Sequence, residues 1–358
     1  MKNVRVLVID DSAFSRRTII KLLEEIPGVE VAGYAANGEE GLKRVVALRP
    51  DLITLDLEMP AMDGFTLLRI IMSACPTPVI VVSAQKEDDR VFKAMELGAV
   101  DFVAKPDRVI YDQLLEIREE LQQKVTSVFN LNLKEVKNRI LPVSQEEVYS
   151  GKQVARLPKG GRQKFELVAV GSSTGGPPAL QKILSMLPRE LPFAVLISQH
   201  MPKGFTKTFA ERLNRMFPFA VREASDGEVV VPNTVLIAPG GMNMLTVQVR
   251  DQVIIRLKQP LKEEKYIPSV NVMLVSVARV YGNRALAVIL TGMGNDGSQG
   301  VKKIKESGGG VLAEAEESAV VFGMPREAIA TGAVDIVVTL DQMAGKIMEF
   351  CGFIARKE

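Results

Sequence analysis

The chain has 358 residues, 47% hydrophobic and 25% charged, and its 45 Lys and Arg against 43 Asp and Glu leave a net charge of only +2. This is the composition of ordinary globular domains with sizeable cores, about two at this length, and it excludes a chain disordered throughout. The balanced charge removes any global electrostatic reason to expect nucleic acid or an anionic membrane as a partner.

The opening MKNVRVLVIDDS meets paired aspartates before a signal-peptide apolar region could form, and no later apolar run approaches membrane-spanning length. Two distant cysteines, Cys75 and Cys351, make neither a disulfide framework nor a zinc motif. A cytoplasmic protein without membrane insertion is expected. Over the first 110 or so residues, VRVLVIDD, VEVAGYAA, DLITLDLEM, PVIVVSAQ and VDFVAKP read as strands of a parallel sheet covered on both faces. Between them, AFSRRTIIKLLEEI, NGEEGLKRVVAL, GFTLLRIIMSA and DDRVFKAMELG carry apolar residues at helical spacing. These make a doubly wound α/β domain. A helical stretch, YDQLLEIREELQQKVTSVFN, then runs into LPVSQEEVYSGKQVARLPKGGRQK, a polar segment with Pro and paired Gly that reads as a linker. From Phe165 a second alternation begins, with FELVAVGSS, FAVLISQH, NTVLIAPG, ALAVILTGMG, GGVLAEA and AVDIVVTL as strands and LTVQVRDQVIIRL as an interrupting hairpin around Arg250-Asp251. The expected boundaries are 1–122, a helical extension and linker over 123–164, and a second α/β domain over 165–355.

In an open parallel sheet, functional groups gather at the carboxyl ends of strands. In the first domain those ends carry Asp10, Asp11, Asp56, Ser83 and Lys105. Three carboxylates converging there repel one another unless a divalent cation and an ammonium neutralise them, and hard oxygen ligands suit Mg²⁺, so a phosphoryl-acceptor site is the natural reading. VLVIDDS, LITLDLEMPAMDGF, VIVVSA and DFVAKP, in this order, resemble a two-component response-regulator receiver domain. The resemblance implies Asp56 as the phosphoryl acceptor, Mg²⁺ held by Asp10, Asp11, Asp56 and the Glu58 carbonyl, and phosphoryl contacts from Ser83 and Lys105. It also puts Phe102 where many receivers have a switching Tyr, so that side chain has no hydroxyl to offer.

In the second domain, Gly171-Ser172-Ser173-Thr174-Gly175-Gly176 lies between a strand and a helix. The spacing is wrong for a dinucleotide-binding loop, the next strand ends in Gln199-His200 rather than an acidic residue, and no Walker Gly-Lys-Ser/Thr follows. What remains is a glycine-flanked hydroxyl near a helix N-terminus, where backbone N–H groups can meet an oxyanion. Such a serine needs a base. His200, the one histidine of the chain, ends the adjacent strand, and Asp296 sits on a Gly-rich loop after a later one. Ser, His and Asp in this order make a candidate triad, which is recognised by geometry and roles. The residues by themselves leave Ser172 and Ser173 open as the nucleophile.

GSSTGG, SQHMPKGFT, FAERLN, DGEVVVPNTVLIAPGG, PSVNVMLVSVA, VILTGMGNDG and VVFGMPREAI resemble the chemotaxis protein-glutamate methylesterase family, CheB, across nearly the whole second domain. That family's loop usually reads G-A-S-T-G-G, so the resemblance puts its serine on Ser173 and leaves Ser172 in place of the Ala. It implies His200 and Asp296 as the other triad members, and Thr174 and the Met293 backbone as oxyanion and substrate-loop contributors. It further implies a phosphorylation-activated hydrolase of glutamyl methyl esters, also a glutamine deamidase, acting on methyl-accepting chemotaxis receptors. The phosphodonor would be a chemotaxis histidine kinase, and the ester step would need no cofactor. The expected architecture is two doubly wound parallel-sheet α/β domains, a flavodoxin-like receiver and a Rossmann-like esterase domain with a β-hairpin insertion. The competing reading is a response regulator whose output domain only binds a protein partner, and ester turnover by the second domain separates the two.

Overall fold

In the computed structural model of the chain, residues 3–84, 88–105, 111–128, 131, 135–136 and 165–352 are described. They fall into two compact units, Met1–Pro142 and Val143–Glu358. The linker read over 141–164 and the end of the second domain over 353–355 lie outside the described residues.

The first unit alternates strands and helices: β1 (Val4–Ile9), α1 (Ala13–Glu24), β2 (Val29–Ala35), α2 (Gly38–Leu48), β3 (Leu52–Leu55), α3 (Gly64–Ala74), β4 (Val79–Ala84), α4 (Asp88–Glu96), β5 (Asp101–Lys105) and α5 (Tyr111–Ser127). All five strands are parallel, in the order β2-β1-β3-β4-β5, the flavodoxin-like order of a doubly wound sheet. The mostly apolar runs of β1 and β3, interrupted only by Arg5 and Thr54, follow from burial on both sheet faces. On one face, Val6, Val8, Ile80 and Val103 pack with Ile19 and Leu23 of α1 and Leu121 and Val125 of α5. Each such fully buried aliphatic side chain contributes roughly 1.5–3 kcal/mol. Helices start where a short polar side chain takes an orphan backbone N–H, as Ser12 does from Ser15, Asn37 from Glu40 and Asp63 from Thr66. α5 continues to Ser127, so position 122 falls inside that helix.

The second unit contains β6 (Leu167–Ser172), α6 (Gly176–Ser185), β7 (Ala194–Gln199), α7 (Phe205–Met216), β8 (Ala220–Glu223), β9 (Thr234–Ile237), β10 (Asn243–Val249), β11 (Gln252–Lys258), α8 (Val270–Tyr281), β12 (Ala285–Ile289), α9 (Ser298–Glu306), β13 (Gly310–Glu314), α10 (Met324–Ala330), β14 (Ile336–Val338) and α11 (Leu340–Phe350). Seven strands form a parallel sheet in the order β14-β13-β12-β6-β7-β9-β8. From β6 the chain passes to β7 on one side, continues to the edge strand β8 and returns to β9 between them, and then winds outward on the other side through β12, β13 and β14. The crevice above β6 and β12 is therefore the topological switch point, where sites of such sheets form. β10 and β11 pair antiparallel as a separate two-stranded sheet, the expected hairpin, with Val249 opposite Gln252 and Arg250 in the left-handed region at φ 52°. Its inner residues Met244 and Ile255 join the core beneath α8. β8 has no counterpart in the sequence reading. It is a four-residue edge strand with one buried residue, Val221, between charged and exposed neighbours, and so short an alternation carries little periodic signal. Among the described residues no helix is long and apolar enough to cross a membrane.

Candidate active site

Two groups of polar residues occupy strand ends, one in each unit. In the first unit, oxygens of Asp10, Asp11 and Asp56 all lie within 4.8 Å of one another. Asp10 and Asp56 are buried and Asp11 is exposed. The Lys105 ammonium lies 2.5 Å from Asp56 Oδ2 and 3.0 Å from Asp10 Oδ2. The Glu58 backbone N–H donates to Asp56 Oδ1 at 3.2 Å, while Ser12 N–H and the Ser15 hydroxyl donate to Asp10. Burial pushes the Asp56 carboxyl above the usual carboxylate range, and Lys105 opposes that without cancelling it. Burial works against the Lys105 charge as well, but Asp56 and Asp10 outweigh it and hold the ammonium above its ordinary value. Ser83 is buried at the end of β4, between the strands that carry Asp56 and Lys105. This is a receiver-type acidic pocket whose three carboxylates, all hard oxygen donors with one open to solvent, fit a divalent cation.

In the second unit, Ser173 follows β6, His200 follows β7 and Asp296 lies in the loop after β12, so the three come from three neighbouring strands. His200 Nε2 is 2.9 Å from Asp296 Oδ2. The Asp296 carboxylate takes three further hydrogen bonds, from the Val270 N–H at 2.7 Å, the Asn271 N–H at 2.8 Å and the Ser269 hydroxyl at 3.1 Å. Ser269 is the N-cap of α8, so Asp296 sits on a helix N-terminus, where unsatisfied N–H groups and the helix dipole favour a negative charge. Burial works against its ionisation, but the hydrogen bond and charge of His200, with the Asn271 and Val270 amides, outweigh burial and hold the carboxyl below its ordinary range. A carboxylate can only accept, so Nε2 carries the imidazole proton and Nδ1 is the basic nitrogen. This is the reverse of the chymotrypsin arrangement, in which Nδ1 faces the aspartate.

The Ser172-Ser173 loop is held from both sides. Ser173 N–H donates to Thr291 O at 3.0 Å, and the Thr291 hydroxyl donates to Thr174 O at 2.9 Å. Thr174 is buried beneath that bond. Gly292 lets the loop after β12 lie directly on Ser173, since a Cβ there would stand 2.8 Å from the Ser173 Cβ and 2.4 Å from Met324 Sδ. Met293, half-buried, is the next residue of that loop. On the other side, Gln199 ties the serine loop to His200. Its Nε2 donates to Ser173 O at 3.0 Å and to His200 O at 3.1 Å, and its Oε1 accepts from the Ser172 hydroxyl at 2.6 Å. Ser172 is completely buried and spends its hydroxyl on that bond, whereas Ser173 is partly exposed. The choice the residues alone left open is therefore weighted by geometry towards Ser173.

Four contributors carry no clear signal in the sequence: Gln199, Thr291, Ser269 and Asn271. The run Pro268-Ser269-Val270-Asn271 ahead of an apolar stretch is a helix-start signal, yet nothing local says that this helix end receives a carboxylate from Asp296. Gln199 reads in the sequence only as a strand-end residue that is not acidic.

A family model described as CheB methylesterase matches residues 168–347, and one described as response regulator receiver domain matches residues 6–116. The chain is 53% identical over 371 residues, covering 99% of both chains, to protein-glutamate methylesterase/protein-glutamine glutaminase 3 of Geobacter sulfurreducens. It is 46% identical over 337 residues, 94% of both chains, to protein-glutamate methylesterase/protein-glutamine glutaminase 1 of Myxococcus xanthus. The crystal structure of the Thermotoga maritima CheB methylesterase catalytic domain is 41% identical, with a TM-score of 0.50 over 52% of this chain and 98% of that one. Full-length similarity at this level, joined to a receiver-type acidic pocket in one unit and a carboxylate-anchored histidine beside a serine loop in the other, means that the chain belongs to the CheB methylesterase family and carries an N-terminal response-regulator receiver domain.

Proposed function

We propose that the chain hydrolyses glutamyl methyl esters on methyl-accepting chemotaxis receptors and deamidates receptor glutamines, in the cytoplasm, with phosphorylation of Asp56 raising the rate. The observation that carries this reading is the His200–Asp296 pair at 2.9 Å, its carboxylate held on the α8 N-terminus beside the Ser173 loop. Ser173 Oγ attacks the ester carbonyl while His200 Nδ1 takes its proton. The tetrahedral oxyanion collapses, the C–O bond to methoxide breaks, and the imidazolium returns the proton so that methanol leaves. Water then attacks the acyl-serine with His200 again as base, releasing the glutamate carboxylate and restoring Ser173. With a glutamine substrate the same steps expel ammonia. Asp296 keeps the imidazole in the Nε2–H tautomer and stabilises the imidazolium, and Thr174 and the Met293 backbone serve the oxyanion and the substrate loop.

In the receiver, an Asp56 carboxylate oxygen forms the new P–O bond as the P–N bond of a kinase phosphohistidine breaks, with Lys105 and Ser83 as contacts for the phosphoryl oxygens. Asp10, Asp11, Asp56 and the Glu58 carbonyl would hold Mg²⁺, which when bound supplies positive charge to the incoming phosphoryl group. The test is methanol release from methylated receptor by the full chain, with and without a small-molecule phosphodonor and Mg²⁺. Release that rises with the donor and is absent from Ser173→Ala is expected. No release under either condition would overturn the esterase reading, and equal release in both would overturn activation.

A further inference from the structure

Tyr266 stands against the one histidine of the chain. Its ring is parallel to the His200 imidazole, with centroids 5.2 Å apart and an interplanar angle of 9°. Its hydroxyl end rests on the loop that bears Asp296, because a Cβ on Gly294 would stand 2.2 Å from Tyr266 Oη, and Gly294 itself is left-handed at φ 89°. The same segment continues through Ser269, Val270 and Asn271, which hold the Asp296 carboxylate. One side chain thus touches both the base and the loop of its carboxylate.

We propose that Tyr266 is a positioning residue for the ester and amide hydrolysis, a flat brace that holds the His200 ring with Nε2 on Asp296 and Nδ1 turned to the nucleophile. The proposal rests on the reading of His200 as the general base. One hydrogen bond from Nε2 to Asp296 anchors a point on the imidazole but leaves the ring free to swing about it, since the terminal torsion of a histidine is broad and roughly two-fold. A parallel aromatic face at stacking distance removes that freedom and shields one side of the ring from water. The Asp296 carboxylate then meets the edge of the His200 ring and the Tyr266 ring meets its face. The brace acts through the flat face of the ring, which phenylalanine also supplies.

Because no other histidine is present, ¹⁵N NMR of the labelled full chain reads the two nitrogens of His200 without ambiguity. With the ring neutral, the wild type should show a protonated Nε2 and an unprotonated Nδ1. In Tyr266→Leu the two shifts should move towards each other as tautomers and orientations mix. kcat for methylated receptor should fall about tenfold with KM changed by less than about twofold, as expected when a reacting group loses orientation rather than substrate binding. Tyr266→Phe should keep the wild-type shifts and kcat. Tyr266→Met, which fills space without a flat face, replaces the leucine variant if that does not fold. Wild-type nitrogen shifts in a folded Leu or Met variant would overturn the brace, and so would a Phe variant as impaired as Leu. If the wild type releases no methanol, the esterase reading fails by itself, while the nitrogen shifts still decide whether Tyr266 orients His200.

Discussion

Asp56 and Asp296 are both aspartates buried at the carboxyl ends of parallel strands, yet their surroundings push them in opposite directions. Among the described bonds Asp56 accepts from one ammonium and one backbone N–H, and burial, with the neighbouring Asp10 charge, leaves its carboxyl raised. Asp296 has four hydrogen bonds and a helix N-terminus, and its carboxyl is lowered despite deeper burial. The difference matches the tasks proposed for the two residues. A carboxylate that must attack phosphorus needs an oxygen that is not saturated by donors, whereas one that must hold a histidine through a catalytic cycle needs every lone pair fixed.

The largest test of this contrast is on turnover. Asp296→Asn should cut ester hydrolysis by about 10⁴-fold, the order seen when a triad aspartate loses its acceptor and the histidine its tautomer. Asp56→Asn should leave unphosphorylated turnover unchanged while abolishing phosphoryl uptake, and a comparable loss of basal turnover in both would break the division of labour. His200→Gln should separate the two sites from the other side: methanol release disappears, whereas Asp56 still takes a phosphoryl group from a small-molecule donor with Mg²⁺.

Next in size is stability. Asp296→Asn places an amide among donors and should lower the stability of the catalytic unit by roughly 2–4 kcal/mol in denaturant unfolding. Asp56→Asn removes a charge that folding buries at a cost, so the receiver should melt a few degrees higher at neutral pH without Mg²⁺. Lower melting points in both variants would mean that Asp56 is as well compensated as Asp296.

Smaller again are the opposite pH trends. Asp296 has a depressed folded value, so the stability it contributes is complete above its unfolded value of about 3.9 and is lost as pH falls from there through the folded value. Asp56 has a raised folded value, so its penalty is complete above that value and fades as pH falls from it towards about 3.9. The stability difference between wild type and the Asn variant should therefore persist on acidification for Asp296 until below about pH 4, and close earlier for Asp56.

The smallest effect is expected at Ser172, whose hydroxyl serves only Gln199 Oε1 among the bonds described for it. Ser172→Ala should cost about 1–2 kcal/mol by leaving a buried amide oxygen short of a donor, with turnover within a few-fold of wild type. Ser173→Ala, one residue on, should lose nearly all of it. A reversal between these two variants would move the nucleophile by one position.

The strands and helices of both units were legible because parallel strands covered on both faces must be almost wholly apolar and the helices over them must show one apolar stripe. Gly, Asp, Ser and His at strand ends were legible for the same reason, since a polar side chain that breaks such a run is costly to bury unless it is paired or has a task at the sheet edge. β8 was not, because four edge residues with one buried valine carry no period. Nor were the holders of the site. Gln199 looks like any strand-end amide until Ser172, Ser173 and His200 are placed around it, and Tyr266 lies 66 positions from His200, the residue it stacks upon.

What the amino-acid order determined by itself was therefore the alternation of elements, the two-unit plan and the short set of reactive side chains, all properties of local pattern and of residues that neighbour one another along the chain. The tertiary structure alone decided which imidazole nitrogen meets Asp296, that a helix N-terminus formed by Ser269, Val270 and Asn271 stabilises that carboxylate, and which of two adjacent serines is spent on a buried bond. Those are matters of distance between groups far apart in sequence, set by strand order and loop packing, and electrostatic interactions depend on that distance and on burial rather than on chain position.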